Sequence, residues 1–204
     1  MINISHNKRF IVNAIVLTIF TLLMRAIGTF FGVYLSNKIG PETIGLYQIV
    51  SSVYLLAITI AISGIGIAIV RLVSEQIAKK NYYRAKVAFS RCVKLSFLLS
   101  VTASVLMFFN AREIGVVFLK DERTISSLKL LSFELPFLAV SACIRNFFIA
   151  SKMINKTVIG DVIEQMFLIV CAVPLVTLML PKGIESACCA VVIGGMVGEI
   201  CSCL

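Results

Sequence analysis

Charge is scarce in this sequence, and the scarcity decides its class. Only 14% of its 204 residues are charged, whereas 59% are hydrophobic, and the mean hydropathy is +1.01. A soluble domain is roughly a quarter charged. The charges lie in short clusters between apolar runs of about 20 residues or more, the length with which an α-helix crosses ~30 Å of hydrocarbon. The sequence therefore excludes a soluble domain and predicts an integral membrane protein.

Signatures of catalysis and of metal binding are also missing. The chain has one His and no Trp. It contains no G-x-S-x-G motif, no paired histidines, no DDxxD-like acidic run and no phosphate-binding glycine loop. The seven cysteines have no neighbouring His, and their spacing matches no zinc or disulfide framework. We predict that the cysteines are small buried side chains, that the chain is not an enzyme, and that it holds no cofactor and no metal.

The apolar runs predict an all-α, polytopic membrane helix bundle of about six transmembrane helices, folded as a single membrane domain over residues 1–204. Gly40-Pro41 indicates a turn at residues 36–42, and a break is expected near Asn81. Residues 111–124 are mixed in character and too short in their apolar part to span, so we expect them to lie at the surface. The predicted spans are residues 10–35, 44–70, 88–109, 127–150, 158–180 and 184–204.

The net charge of +9 follows the membrane pattern rather than that of a nucleic-acid binder. One set of alternate loops carries Lys8 with Arg9, a strongly basic stretch over residues 71–94, and Lys152 with Lys156. The positive-inside rule then predicts that the N-terminus is cytoplasmic. The basic stretch either binds anionic membrane lipids or serves as a topology signal alone. Its positive residues are Arg71, Lys79, Lys80, Arg84, Lys86, Arg91 and Lys94.

Ionisable residues inside the spans mark a candidate site. Each costs about 2.5–3.5 kcal/mol at the centre of a helix on insertion scales, so it suggests a polar cavity or a partner. We predict a substrate-binding cavity lined by Arg25, Glu134, Arg145 and Glu164. Asp161 belongs with them, and so does Glu199 if the sixth helix spans.

Helical rise gives these residues approximate depths. Arg25 lies about 15 Å from the outer end of the first helix and Glu134 about 10 Å from that of the fourth, so the two could pair. Arg145 and Glu164 face each other across a helical hairpin and could also pair. The alternatives are that Arg145, Asp161 and Glu164 snorkel to the interface, and that Glu134 satisfies backbone freed by Pro136.

Glycines recur at a spacing that brings helices together. Gly28 and Gly32, and likewise Gly194 and Gly198, form small-xxx-small patterns, which predict close helix packing. The glycines within residues 64–66 either let the second helix bend or pack against a neighbour.

Four segments, in order, resemble the polysaccharide flippase family. MRAIGTF (residues 24–30), IGPETIGLY (residues 39–47) and GIGIAIVRLVSE (residues 64–75) resemble its start, and VIEQ (residues 162–165) is similar to its stage V sporulation protein B-like branch. Asn146 stands where the family commonly has Gly. Together these features fall on helices one, two, four and five, four of the six predicted helices.

This resemblance implies membership of the multidrug/oligosaccharidyl-lipid/polysaccharide exporter superfamily. Its members flip lipid-linked saccharides, including peptidoglycan precursors, across the bacterial plasma membrane, and two six-helix lobes surround their central cavity. The resemblance implies that this chain is one lobe, that a second six-helix lobe is its partner, and that its substrate is a peptidoglycan or spore-cortex precursor. It further implies that Arg25 is the cavity arginine, and a guanidinium suits a pyrophosphate head.

Other functions remain in view. A drug or cation exporter of the same superfamily would use the same fold. The apolar end at Leu204 is also what a truncated or degenerate, non-transporting membrane protein would show. A membrane enzyme of lipid-linked sugar metabolism needs acidic or His clusters on its cytoplasmic loops, and those loops are basic instead.

Overall fold

A computed structural model describes the backbone of residues 4–203 and the side chains of residues 15, 18–60, 62, 64–153, 155–181 and 183–202. This part of the chain is almost entirely helical and contains no strand. The Lys8 and Arg9 side chains, on which part of the orientation prediction depends, lie outside the described residues.

Six long helices make up most of residues 4–203. The helical segment Ile4–Ala78 is divided at Gly40, whose φ of 82° and ψ of 161° are not helical, into α1 (residues 4–39) and α2 (residues 41–78). Three short segments lie between the later helices: Ala111–Glu113, the π-helix Ile114–Phe118 and the 3₁₀-helix Leu180–Lys182. The remaining long helices are α3 (Tyr82–Phe109), α4 (Thr124–Ala150), α5 (Ile154–Met179) and α6 (Ile184–Cys203).

The break predicted at Gly40-Pro41 is present, but its predicted extent over residues 36–42 is wrong. The helix continues to residue 39 and resumes at Pro41, so that Gly40 alone leaves helical geometry. Glycine adopts a positive φ without steric cost, and proline suits the first position of a helix because no hydrogen-bond partner is needed for its nitrogen there. A single Gly-Pro step therefore separates two helices without a polar loop.

The helices are long and apolar enough to cross a membrane. Five such segments occur in the described residues: Thr18–Ile60, Tyr82–Phe109, Thr124–Ala150, Asn155–Met179 and Ile184–Ser202. The first has 43 residues and contains Gly40. At 1.5 Å per residue it measures about 65 Å, roughly twice the hydrocarbon thickness, so it provides two crossings. The predicted all-α, polytopic membrane bundle is confirmed.

The core consists of several clusters of buried side chains, and two of them include residues of α6. Ile69 and Val73 of α2 pack with Cys143 of α4 and with the start of α3, and Val50 packs with Leu128 farther along. The ends of α1 and α5 pack on α6 through a second cluster: Leu35, Ile39, Val176, Ala187, Ala190 and Val191.

Close helix packing, which both glycine patterns predict, occurs at one pattern and not at the other. A Cβ on Gly194 would lie 2.7 Å from the Cβ of Ala172, and one on Gly198 would lie 2.7 Å from the carbonyl oxygen of Glu164. Close packing of α6 on α5 is therefore confirmed. For Gly28 and Gly32 the prediction is wrong, because no described atom comes within 4 Å of a Cβ placed there. These two glycines of α1 border open space.

Successive connections between the helices alternate between the two ends of the bundle, as predicted. Asn81 separates α2 from α3, as expected, and its side chain accepts a hydrogen bond from the amide of Arg84. The Ser74 hydroxyl donates to the carbonyl of Ala150, which brings the α2–α3 and α4–α5 connections to one end. At the other end the guanidinium of Arg123 lies 2.8 Å from the carboxylate of Glu42.

Cysteines pack as ordinary small side chains in this bundle. Cys143 and Cys188 are buried, as predicted, and four more are half-buried. Cys203 lies outside the described side chains. The half-buried cysteines are Cys92, Cys171, Cys189 and Cys201.

Candidate substrate cavity

A cavity of about 630 Å³ opens between α1, α2, α4, α5 and α6. Apolar residues such as Phe31, Leu131 and Val192 form part of its wall. Polar side chains form the rest, so the cavity is amphipathic. The polar residues that line it are Thr29, Ser36, Tyr47, Gln48, Ser51, Tyr54, Glu134 and Gln165.

Two helices supply the regular part of this wall. On α1, Gly28, Gly32 and Ser36 recur every fourth residue and therefore lie on one face, where the missing glycine side chains leave the space open. On α2, Ser51 and Tyr54 continue a stripe that begins at Tyr47. The cavity is thus the gap between a small-residue face and a hydroxyl-rich face.

Glu134 is the acidic residue of this cavity. Its side chain is only 7% exposed, and none of the ion pairs within the described residues includes it. Gly195 of α6 faces it, and a Cβ there would lie 3.9 Å from its Oε1 atom. A buried carboxylate beside open space can bind a proton or a cation.

The backbone carbonyl left without a donor by Pro136 has a hydrogen-bond partner other than Glu134. Pro136 has no amide hydrogen, so the carbonyl of Ser132, four residues earlier, loses its helical donor. The Ser104 hydroxyl of α3 donates to that carbonyl at 2.5 Å. The freed backbone is satisfied from α3, and Glu134 is not needed for that role.

A second cavity of about 300 Å³ adjoins the first, and Gly28 and Gln165 line both. Arg25 stands on its α1 wall, and Arg145, Asp161 and Glu164 stand on the other side. The two cavities form one path that is polar at this end.

Arg145 holds three carboxylates together. Its guanidinium lies 2.9 Å from Glu164, 3.3 Å from Asp161 and 3.9 Å from Glu199. Glu199 is 4% exposed. The predicted Arg145–Glu164 pair is confirmed, and Glu199 of α6 joins it. Opposite charges at these distances attract one another, and the Arg145 and Asp161 side chains are each 36% exposed.

The expected Arg25–Glu134 pair does not form. Among the described residues Arg25 takes part in no ion pair, and its side chain is exposed on the cavity wall. The reason is the length of α1, which ends four residues later than predicted. Arg25 therefore lies about 21 Å from that end, level with Asp161 and Glu164 rather than with Glu134.

Charge in this path is unevenly distributed. Three carboxylates (Glu134, Asp161 and Glu164) and two guanidiniums line it, and Glu199, which lines neither cavity, joins Asp161 and Glu164 around Arg145. Arg25 forms no ion pair with any of the described carboxylates. No group of three or more potential metal ligands is assembled for a metal ion within the described part of the chain.

Sequence reasoning missed the uncharged polar residues. Tyr47, Gln48, Ser51 and Tyr54 line the main cavity, yet none is charged and none belongs to a catalytic motif. The signal was available in α2, where polar residues spaced three and four apart mark one face within an apolar helix.

Comparison with known proteins agrees with this architecture. Residues 18–181 match the model of the MatE family. Stage V sporulation protein B of Bacillus subtilis (strain 168) is 27% identical over 197 residues, which are 97% of this chain and 38% of that protein. Protein DETOXIFICATION 42 of Arabidopsis thaliana is 33% identical over 128 residues, 59% of this chain and 23% of that protein.

A solved structure has the same fold. It is described as "Crystal structure of MATE in the straight conformation" and matches with a TM-score of 0.72 at 17% identity. The match covers 89% of this chain and 42% of that chain. The present chain thus spans about two-fifths or less of each protein it matches.

Proposed function

The chain belongs to the MatE family, and from this premise we propose that it is a transporter lobe whose cavity binds a lipid-linked saccharide for transfer across the membrane. The substrate is an anionic polyprenyl-pyrophosphate carrier of a cell-wall or spore-cortex precursor. Arg25, Glu134, Arg145 and Glu164 are the proposed binding residues.

Arg25 is the single observation that carries this proposal. A guanidinium in the middle of a span is unfavourable unless it meets an anion, and Arg25 has no carboxylate partner among the described residues. It lies on a cavity wall, where a phosphate can reach it in the forked geometry that guanidinium favours. The adjoining amphipathic cavity suits the sugar and the start of the lipid chain.

Alternating access needs a second body. One lobe provides one wall of a central path, and a transporter of this kind moves one repeat against another. We therefore propose a second six-helix lobe as the partner, a bacterial plasma membrane location, a single membrane domain over residues 1–204, and a cytoplasmic N-terminus. The basic stretch of residues 71–94 supports that orientation.

A second candidate function is export of an organic cation. Glu134 favours it, because a buried carboxylate without an ion-pair partner lies in the main cavity beside Tyr47 and Tyr54. Aromatic rings and a carboxylate together recognise lipophilic cations. In this case Glu134 would be the binding residue and Arg25 would be dispensable.

Ligand binding to the detergent-purified chain separates the two candidates. The probes are a polyprenyl-pyrophosphate disaccharide and tetraphenylphosphonium, and native mass spectrometry measures their affinities. We expect Arg25→Gln to weaken the pyrophosphate lipid by about tenfold or more, the contribution of a hydrogen-bonded charge pair. Arg112→Gln, at an exposed arginine outside the cavity, should have no effect.

The opposite pattern would overturn the proposal. It is wrong if the pyrophosphate lipid binds equally to the wild type and to Arg25→Gln. If tetraphenylphosphonium alone binds, and Glu134→Gln abolishes its binding, the cation exporter replaces the flippase.

A further inference from the structure

A groove of about 310 Å³ lies where α2 ends and α3 begins. Leu72 and Gln76 of α2 form one side, and residues of the first turns of α3 form the other. None of its lining residues belongs to the substrate cavity. The α3 residues that line it are Tyr83, Arg84, Val87, Ala88 and Arg91.

The charge of this groove has one sign. Arg84 and Arg91 are seven residues apart and so lie on the same face of α3, about 10 Å apart along its axis. None of the described residues that line the groove carries a carboxylate. Glu75, which lies nearby in sequence, is bound to Lys79 at 2.6 Å, and this hydrogen bond lowers the pKa of Glu75. Glu75 therefore stays ionised and is neutralised by Lys79 rather than by the groove arginines.

The groove lies at the depth of lipid headgroups. α3 has 28 residues and measures about 42 Å, which exceeds the ~30 Å hydrocarbon core. The charges of α3 end at Lys94, so its first turns extend into the interface. Tyr82 and Tyr83 are 70% and 79% exposed there, as is typical of interfacial aromatic residues.

Beyond Arg91, the face of α3 that lines the groove becomes apolar toward the membrane. Ala88, Arg91, Leu95 and Leu98 follow one another at spacings of three and four residues on one face of α3. Leu95 is 52% and Leu98 65% exposed. A phosphate at Arg84 and Arg91 would place its acyl chains along these leucines.

We propose that this groove binds an anionic phospholipid, with the phosphate at Arg84 and Arg91, the headgroup beside Tyr83 and Gln76, and an acyl chain along Leu95 and Leu98. A basic rim over an apolar floor complements that molecule in both charge and polarity. The site is independent of the proposed transport function.

Lipid titration of the detergent-purified chain tests the proposal, with native mass spectrometry to count bound lipids and measure their affinity. The probes are phosphatidylglycerol and zwitterionic phosphatidylethanolamine. We expect phosphatidylglycerol to bind more tightly, and Arg84→Gln/Arg91→Gln to weaken it about tenfold or more. Lys86→Gln/Lys152→Gln removes the same charge from exposed positions outside the groove and should change the affinity less than about twofold.

Variants that leave the net charge unchanged distinguish loss of the lipid site from misfolding. Ala88→Phe fills the groove without altering charge and should also weaken phosphatidylglycerol, whereas Arg84→Lys/Arg91→Lys should retain part of the affinity. The proposal is overturned if the glutamine pairs at groove and control positions weaken binding equally, since this indicates general electrostatics. It is also overturned if phosphatidylethanolamine binds as tightly, or if millimolar inorganic phosphate displaces the lipid and itself occupies the groove.

Discussion

At the scale of single residues, the site depends on how buried polar groups find partners. Glu199 is nearly inaccessible, and its only ion-pair partner in the described part of the chain is Arg145 at 3.9 Å. Asp161 and Glu164 face the same guanidinium from α5. Three carboxylates around one arginine remain together only while that arginine is present.

Replacing Arg145 tests this dependence. Arg145→Met should lower the free energy of unfolding by about 1–3 kcal/mol, because it leaves buried carboxylates uncompensated and Arg145 is itself partly exposed. Adding Glu199→Gln should recover part of the loss. Helical circular dichroism in detergent provides the unfolding midpoints, with Arg112→Met as the control. An Arg145→Met midpoint equal to that of the control would mean that the cluster does not stabilise the fold.

Asn146 of α4 packs against a glycine of α2. The amide of Asn146 donates to the carbonyl of Ala142 at 2.8 Å. A Cβ on Gly66 would lie only 2.9 Å from the Asn146 amide nitrogen. Of the two roles that the sequence left open for the 64–66 glycines, packing is therefore the one that Gly66 has. Gly64 has open space around it.

At the scale of helices, the same glycine spacing produces close packing in one helix and an open cavity beside another. Gly194 and Gly198 let α6 touch the backbone of α5, while Gly28 and Gly32 leave room for the cavity. Spacing predicts a smooth helix face, but only the neighbouring helix decides whether that face is filled or left open.

Alanine substitutions distinguish these meanings. Gly198→Ala places a methyl group 2.7 Å from a backbone oxygen that cannot rotate away, so α5 and α6 must separate. We expect a loss of about 1–3 kcal/mol in the free energy of unfolding, the usual result of overpacking. Gly32→Ala is the matched control and should leave stability unchanged or slightly raised, because alanine favours helix. Equal unfolding midpoints for the two variants would contradict the assigned α5–α6 contact.

At the scale of the whole molecule, the sequence predicts the class better than the site. Long apolar runs and rare charges are sufficient to predict the membrane bundle. The break predicted near Asn81 does lie between α2 and α3. The predicted Arg25–Glu134 pair is wrong because depth depends on where α1 ends. Gly40-Pro41 suggested a turn over residues 36–42, whereas only Gly40 leaves helical geometry. The hydroxyl-rich wall at Ser51 was missed because neutral polar residues carry little weight in a charge-based search.

The proposed substrate occupies the cavity between α1 and α2. Photocrosslinking in intact cells tests it most directly, with a photoreactive amino acid at Gln48 in the cavity or at Leu98 on the lipid-exposed face of α3. We predict that Gln48 captures a pyrophosphate-linked saccharide, that Arg25→Gln abolishes the capture, and that Leu98 captures phospholipid alone. Capture of the saccharide from Leu98 as often as from Gln48 would contradict the account.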